Sequence, residues 1–190
     1  LVQIGRLVEK KDQLTLLEAF ALVVRDRPAR LLIYGEGPMR RTLERRITAL
    51  GLGDHVALPG FTSNPFAVIA RADLFVLSSI SEGMPSALIE ALACGTPVAG
   101  FDRGALSEVV GDCGVLVPGG DIGALAHAIR KVRRIDRTAC RARAVEKLSI
   151  AAMIAGYERC YASAIAGARL ASLPRLAWDS SCSRTSELLA

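Results

Sequence analysis

The sequence predicts an α/β fold, a parallel sheet of about six short strands covered by helices on both faces. Three observations carry this. Short apolar runs alternate along the chain with longer stretches of 3.6-residue periodicity, the pattern of consecutive βαβ units. The strand-like runs are apolar throughout instead of alternating, as strands buried on both faces are. Gly, Pro, Asn and Asp punctuate the boundaries between runs.

The elements follow in order. Leu1-Val2-Gln3-Ile4-Gly5 is the first strand; it opens without an initiator methionine, so a preceding segment is expected. Asp12 is an N-cap, and Leu14, Leu17, Phe20, Ala21 and Val24 recur at helical spacing until Pro28. Leu31 to Tyr34 is a strand, Gly35-Glu36-Gly37-Pro38 a loop, and Met39 to Leu50 an arginine-rich helix stopped by Gly51. His55 to Leu58 is the next strand; Pro59-Gly60-Phe61 turns the chain and Asn64-Pro65 caps a short helix. Asp73 to Leu77 reads as a strand buried on both faces.

A loop from Ser78 to Met84 leads into a helix from Pro85 to Cys94, with Pro85 at its first position, and then a strand from Pro97 to Phe101. A short helix at Ser107 to Val110, a strand at Val115 to Val117 and a helix from Asp121 to Arg134 complete the alternation. Residues 137–166 carry one or two further helices. Residues 1–166 thus read as one Rossmann-like unit, and the tail 167–190, with Pro174 and a Ser-rich end, shows no period.

Composition narrows the classes of function. With 190 residues, 51% hydrophobic and 23% charged, the chain has material for one full core, which excludes disorder, collagen-like repeats and a coiled coil. No stretch approaches the roughly 20 apolar residues of a membrane span, and Arg6, Lys10 and Lys11 interrupt any signal-like run, so a cytoplasmic location is expected. The five cysteines contain no C-x-x-C, and His55 and His127 are far apart, which suggests a reducing compartment and no metal site. Lys and Arg outnumber Asp and Glu by 24 to 19. The excess lies at Arg40, Arg41, Arg45 and Arg46 and from Arg130 to Arg143. Solvated helix faces are the first expectation for these, peripheral docking on an anionic membrane surface the second. Nucleic acid is not expected, because no binding motif accompanies the charge.

In an open parallel sheet, ligands bind beyond the carboxyl ends of the strands. The segment Ser81-Glu82-Gly83-Met84-Pro85-Ser86-Ala87-Leu88-Ile89-Glu90 lies at such an end. Gly83 lets backbone approach a ligand, and the amides of the following helical turn form an anion site. Glu82 and Glu90 flank it, and a carboxylate can accept two hydrogen bonds from the vicinal diol of a ribose or hexose. A loop Glu82 and a helix-surface Glu90 with no ligand suit the same positions. Gly5-Arg6-Leu7-Val8-Glu9-Lys10-Lys11 ends the first strand, and there Arg6 and Lys11 either hold a diphosphate without metal or are solvated loop charges. Gly35 offers a third permissive strand end, although no dinucleotide fingerprint follows, since its third glycine would fall at Arg40.

Taken in order, G-R-L-V-E-K-K, L-L-E-A-F, G-E-G-P, L-P-G-F, A-D-L-F-V-L-S-S and E-G-M-P-S-A-L-I-E-A-L-A-C-G-T-P-V resemble the retaining GT-B glycosyltransferases called glycosyltransferase group 1, or family four, over their C-terminal, donor-binding domain. The resemblance runs from Gly5 to about Tyr161. It implies that Glu90 binds ribose, and that Glu82 with the amides of Gly83, Met84, Pro85-linked Ser86 and Ala87 holds donor sugar and distal phosphate. Arg6 and Lys11 would stabilise the departing diphosphate, and the base would lie near Gly60 and Phe61. The implied reaction is transfer from a UDP- or GDP-sugar to a glycan or lipid-linked acceptor with retention and without metal or other cofactor. It also implies an N-terminal GT-B domain, in cis or in trans, that supplies the acceptor site.

Two positions depart from the family pattern. Asp12 stands where a glycine usually follows the lysine, and Arg103-Gly104-Ala105 replaces a common Gly-Gly before Glu108. A non-catalytic nucleotide-sugar binding module fits the same motifs. A glycoside hydrolase using Glu82 and Glu90 fits less well, since it has no need of diphosphate cations.

Overall fold

A computed structural model describes residues 1–132 and 135–165. Arg133, Arg134 and the tail lie outside the described residues. Six parallel strands form one sheet: β1 (Val2–Ile4), β2 (Leu31–Tyr34), β3 (Val56–Gly60), β4 (Phe75–Leu77), β5 (Val98–Phe101) and β6 (Gly114–Val117). The order across the sheet is β3-β2-β1-β4-β5-β6, with every pairing parallel. The chain therefore winds outward in one direction from β1 to β3 and in the other from β4 to β6. The reversal between β1 and β4 opens a crevice at the carboxyl ends.

The α-helices among the described residues are α1 (Gln13–Asp26), α2 (Arg40–Ala49), α3 (Pro65–Arg71), α4 (Ser86–Ala93), α5 (Leu106–Val110), α6 (Ile122–Lys131), α7 (Arg137–Lys147) and α8 (Ile150–Ile165). One core layer joins Leu16, Phe20 and Val23 of α1, Leu43 of α2 and Leu125 and Ile129 of α6 to Ile33, Val76 and Ala99 of the sheet. The other joins Ile69, Leu88, Leu92, Val109 and Cys140 of α3, α4, α5 and α7 to Val2, Phe75, Leu77 and Val98. Within β4, Phe75 and Leu77 face one layer and Val76 the other, the period-two division of a strand buried on both sides.

Expected boundaries shift by a residue or two, and two of the shifts bear on the site. Pro59 and Gly60 belong to β3 instead of a turn: Gly35 donates its N–H to Gly60 O at 2.8 Å, which draws the strand two residues further. Proline is tolerated there because β3 is an edge strand. Pro85 has φ −75° and ψ 103°, so it is the extended N-cap of α4, and the helix begins at Ser86.

Four arginines of the stretch from Arg130 to Arg143 have partners within the fold. Arg137 donates to the carbonyls of Ala70 (2.8 Å) and Ala72 (2.7 Å) at the end of α3 and to Thr96 Oγ1. Arg141 donates to Ala93 O at the end of α4 (3.0 Å), and Arg143 to Val109 O (2.8 Å) and Glu108 O on α5. The last carbonyls of a helix have no partner within it, and cations there also oppose the negative dipole end. One face of α7 thus caps three helices. Arg130 bonds Leu22 O and pairs with Asp26. These four guanidiniums have hydrogen-bond partners within the fold.

Residues Leu1–Ala152 form one compact unit, and a second begins at Met153. In the second, Met153, Ile154, Tyr157, Tyr161 and Ile165 of α8 are exposed, and Tyr157 and Tyr161 stack with ring centroids 6.2 Å apart. No helix among the described residues is long and apolar enough to cross a membrane.

Candidate functional site

At the carboxyl ends of β1, β2 and β3 the chain crosses itself closely. Gly35 has φ 132°, and a Cβ on it would lie 1.9 Å from Gly5 O, so only glycine fits where the first two strands leave the sheet. The amides of Gly5 and Leu7 bond Tyr34 O and Glu36 O, both at 3.0 Å, and lock the two loops side by side. A cleft of about 390 Å³ opens above them, lined by Ile4, Gly5, Arg6, Tyr34, Gly35, Glu36, Phe61, Thr62 and Pro65. Gly5, Arg6, Gly35 and Phe61 are thereby brought together in one cleft. Gly60 lies beneath, bonded to Gly35 and covered by the Glu36 carboxylate. The cleft wall is mainly apolar, and Phe61 stands 81% exposed.

Tyr34, Thr62 and Pro65 were not foreseen in this role. Tyr34 reads in sequence as an ordinary strand residue; being last in its strand was the available signal, because ligands gather at that end.

Lys11 and Glu82 meet from loops 71 residues apart in sequence, with Nζ to Oε1 at 2.5 Å. Their side chains are 26% and 10% exposed. Burial pushes the Glu82 carboxyl up, but the hydrogen bond from Lys11 and the charges of Lys11 and Lys10 outweigh it, so its pKa falls below the ordinary value. The expected pair of diphosphate cations is therefore unequal: Lys11 is bound to a carboxylate, whereas Arg6 is exposed and makes no ion pair among the described residues. The aliphatic stem of Lys11 lies 3.6 Å from where a Cβ on Gly5 would be, which ties the ion pair to the cleft floor.

Asp12, the departure noted after Lys11, has φ 46° and ψ 46°, the left-handed conformation that favours glycine. Its carboxylate offsets the strain by accepting from Thr15 N–H (3.4 Å) and Thr15 Oγ1 (2.8 Å) as the N-cap of α1. Gly104, retained in the second departing segment, also has positive φ (58°), and a Cβ there would sit 2.5 Å from Glu82 O. The glycine that is kept is the one packed against the Glu82 loop.

Beyond Glu82, Gly83, Met84 and Ser86 are exposed, Ala87 is half-buried and Pro85 is buried. Among the described residues no side chain caps α4, and Leu88 N–H is the first of its turn to find a carbonyl, Pro85 O at 3.0 Å. The amides of Ser86 and Ala87 are left open by helix geometry, as an anion site requires. Glu90 is half-buried in the second turn of α4 and makes no ion pair among the described residues. It and residues 83–87 lie outside the lining of the cleft.

A family model described as "Glycosyl transferases group 1" matches residues 1–147. The chain belongs to the glycosyl transferases group 1. Among relatives in this family, the N-acetylgalactosamine-N,N'-diacetylbacillosaminyl-diphospho-undecaprenol 4-alpha-N-acetylgalactosaminyltransferase of Campylobacter jejuni is 31% identical over 162 residues, 80% of this chain and 44% of that protein. The 2-deoxystreptamine N-acetyl-D-glucosaminyltransferase of Streptomyces fradiae is 36% identical over 100 residues, 50% of this chain and 24% of the relative. The chain therefore spans less than half the length of either. Among solved structures, a mutant of S. aureus TarM in complex with fondaparinux, alpha-GlcNAc-glycerol and UDP superimposes with TM-score 0.75 at 26% identity, covering 83% of this chain and 34% of that one. Sucrose-phosphate synthase from Thermosynechococcus elongatus gives TM-score 0.73 at 29% identity, covering 87% and 45%. The group 1 chain thus carries the Rossmann-like, GT-B type of sheet that its strand order displays.

Proposed function

We propose that this chain is the donor-binding part of a retaining glycosyltransferase that takes a UDP- or GDP-sugar. The observation that carries the reading is the convergence of the apolar cleft, the exposed Arg6, the Lys11–Glu82 pair and the uncapped start of α4 around one end of the sheet. The base occupies the cleft beside Gly60 and Phe61. Glu90 accepts from the ribose hydroxyls, and Glu82 with the amides of residues 83–87 holds the sugar and distal phosphate. The TarM complex with UDP is consistent with a nucleoside diphosphate as ligand.

In the reaction proposed, the bond from the anomeric carbon to the distal phosphate oxygen breaks as the acceptor hydroxyl approaches from the same face. The electron pair goes to the leaving diphosphate, whose charge Arg6 and Lys11 stabilise, and a phosphate oxygen takes the acceptor proton. Positive charge from these side chains replaces that of a metal. The acceptor, a glycan or lipid-linked sugar, is oriented by an N-terminal domain supplied in cis or in trans. The exposed apolar residues of α8 belong to the face we assign to that neighbour. Peripheral attachment to the cytoplasmic face of an anionic membrane rests on Arg41 and Arg45 of α2, both exposed.

Calorimetry with UDP, GDP and uridine tests the donor site. One nucleoside diphosphate should bind with a dissociation constant on the order of micromolar to millimolar, more tightly than the bare nucleoside. Neither heat nor chemical-shift change at millimolar ligand would reject it.

A further inference from the structure

Gln3 is 2% exposed in the middle of β1, a polar side chain in an otherwise apolar strand. Its Nε2 donates to Ser78 Oγ at 3.1 Å, and Ser78, fully buried at the end of β4, donates that hydroxyl to Lys11 O at 2.8 Å. Gln3 Oε1 has no partner among the described residues, so the carboxamide is satisfied only in the direction that runs to Lys11. A buried polar group is costly unless bonded, and a short chain of such groups fixes whatever it ends on.

It ends on one of the two carbonyls that the turn itself leaves without a partner. Residues Glu9–Lys11 form a single 3-10 turn closed by Asp12 N–H to Glu9 O (2.9 Å), and the left-handed Asp12 then directs the chain into α1. Lys11 O is swung towards β4, next to the bond from Ile80 N–H to Lys10 O (2.9 Å). Two consecutive carbonyls of the cationic loop are therefore pinned to the strand end from which Glu82 departs, one by backbone and one by the Ser78 hydroxyl.

We propose that Gln3 and Ser78 are positioning residues that act through the Lys11 carbonyl to hold its ammonium in the donor site. Neither lines the cleft, and neither side chain forms an ion pair. The consequence for ligand binding rests on the donor-site reading; the consequence for Lys11 itself does not. Without the Ser78 hydroxyl, Lys11 O lacks its buried partner, the turn relaxes, and Nζ is no longer held within reach of either Glu82 or a diphosphate.

The experiment compares wild type, Ser78→Ala, Ser78→Thr and Gln3→Leu in the whole chain. The Lys11 ammonium is followed by NMR in ¹⁵N-lysine protein without ligand, UDP and uridine are titrated, and thermal midpoints are recorded. Ser78→Ala and Gln3→Leu should move the Lys11 signal towards that of a free lysine and weaken UDP about tenfold with uridine unchanged. Ser78→Thr, which keeps the hydroxyl, should restore both. An unmoved Lys11 signal in Ser78→Ala or, if that variant does not fold, in Gln3→Leu overturns the proposal, as does equal loss of UDP and uridine in step with a lowered midpoint. A signal that moves as expected in a protein whose wild type binds no UDP upholds the positioning role and rejects the donor reading instead.

Discussion

Replacing Glu82 by glutamine should tighten the binding of a nucleoside diphosphate, although Glu82 lies within the proposed donor site. Its carboxylate holds Lys11 at 2.5 Å and is itself only 10% exposed. An incoming diphosphate must draw Lys11 away or settle beside an uncompensated carboxylate. For a phosphate charge about 5 Å from that carboxylate, effective dielectrics from 80 down to 20 give a repulsion of about 1–3 kcal/mol. A tightening of about tenfold, 1.4 kcal/mol, lies within that range. Glutamine keeps the shape and an oxygen for Lys11 but removes the charge. Calorimetry at low ionic strength with UDP, uridine and a UDP-sugar separates the effects. UDP should bind about tenfold more tightly to Glu82→Gln, uridine equally, and the sugar nucleotide should lose its advantage over UDP. Unchanged or weaker UDP binding would refute the competition for Lys11.

Other outcomes follow from the same structure. The lowered pKa of Glu82 makes the ion pair's contribution to stability complete above the unfolded carboxyl value of 4.5 and lost only as pH falls through the lower folded value. The stability gap between wild type and Glu82→Gln, from urea melts, should then stay level from pH 7 to 5 and close below 4.5. Arg137→Ala removes a guanidinium from two carbonyls of α3 and from Thr96 and should cost about 1.5–3 kcal/mol, against under about 0.5 for Arg41→Ala, in the same melts. Asp12→Ala loses the cap and keeps the left-handed strain, costing about 1–2 kcal/mol, whereas Asp12→Gly loses the cap but relieves the strain and should be within about 0.5 kcal/mol of wild type. Glu90→Ala should weaken UDP by roughly 1.5–3 kcal/mol and leave a 2′,3′-dideoxy analogue nearly unaffected, as titration of both ligands will show.

The order and type of the elements were legible in the residues because periodicity and end signals are local. Asp12 and Asn64 cap the helices they precede, and the runs at Leu31, Asp73 and Pro97 became strands. The glycines of the candidate site were equally visible, since a residue without a Cβ at a strand end announces close backbone approach, as Gly35 against Gly5 O confirms. Which strand lies beside which could not be read in this way. A strand's hydrogen-bonding groups are the same in every strand, so the placement of β1 between β2 and β4, and with it the position of the crevice, was settled when the chain packed. Charge was the other property that needed the folded chain. In sequence, Lys11 and Glu82 stand out as candidate site residues but not as partners of one another, and Arg137, Arg141 and Arg143 are surface-like. Folding gives Lys11 a carboxylate from a loop 71 residues away and sets the three arginines against the open ends of α3, α4 and α5, because a charged side chain takes its role from whatever partner packing brings within about 3 Å of it.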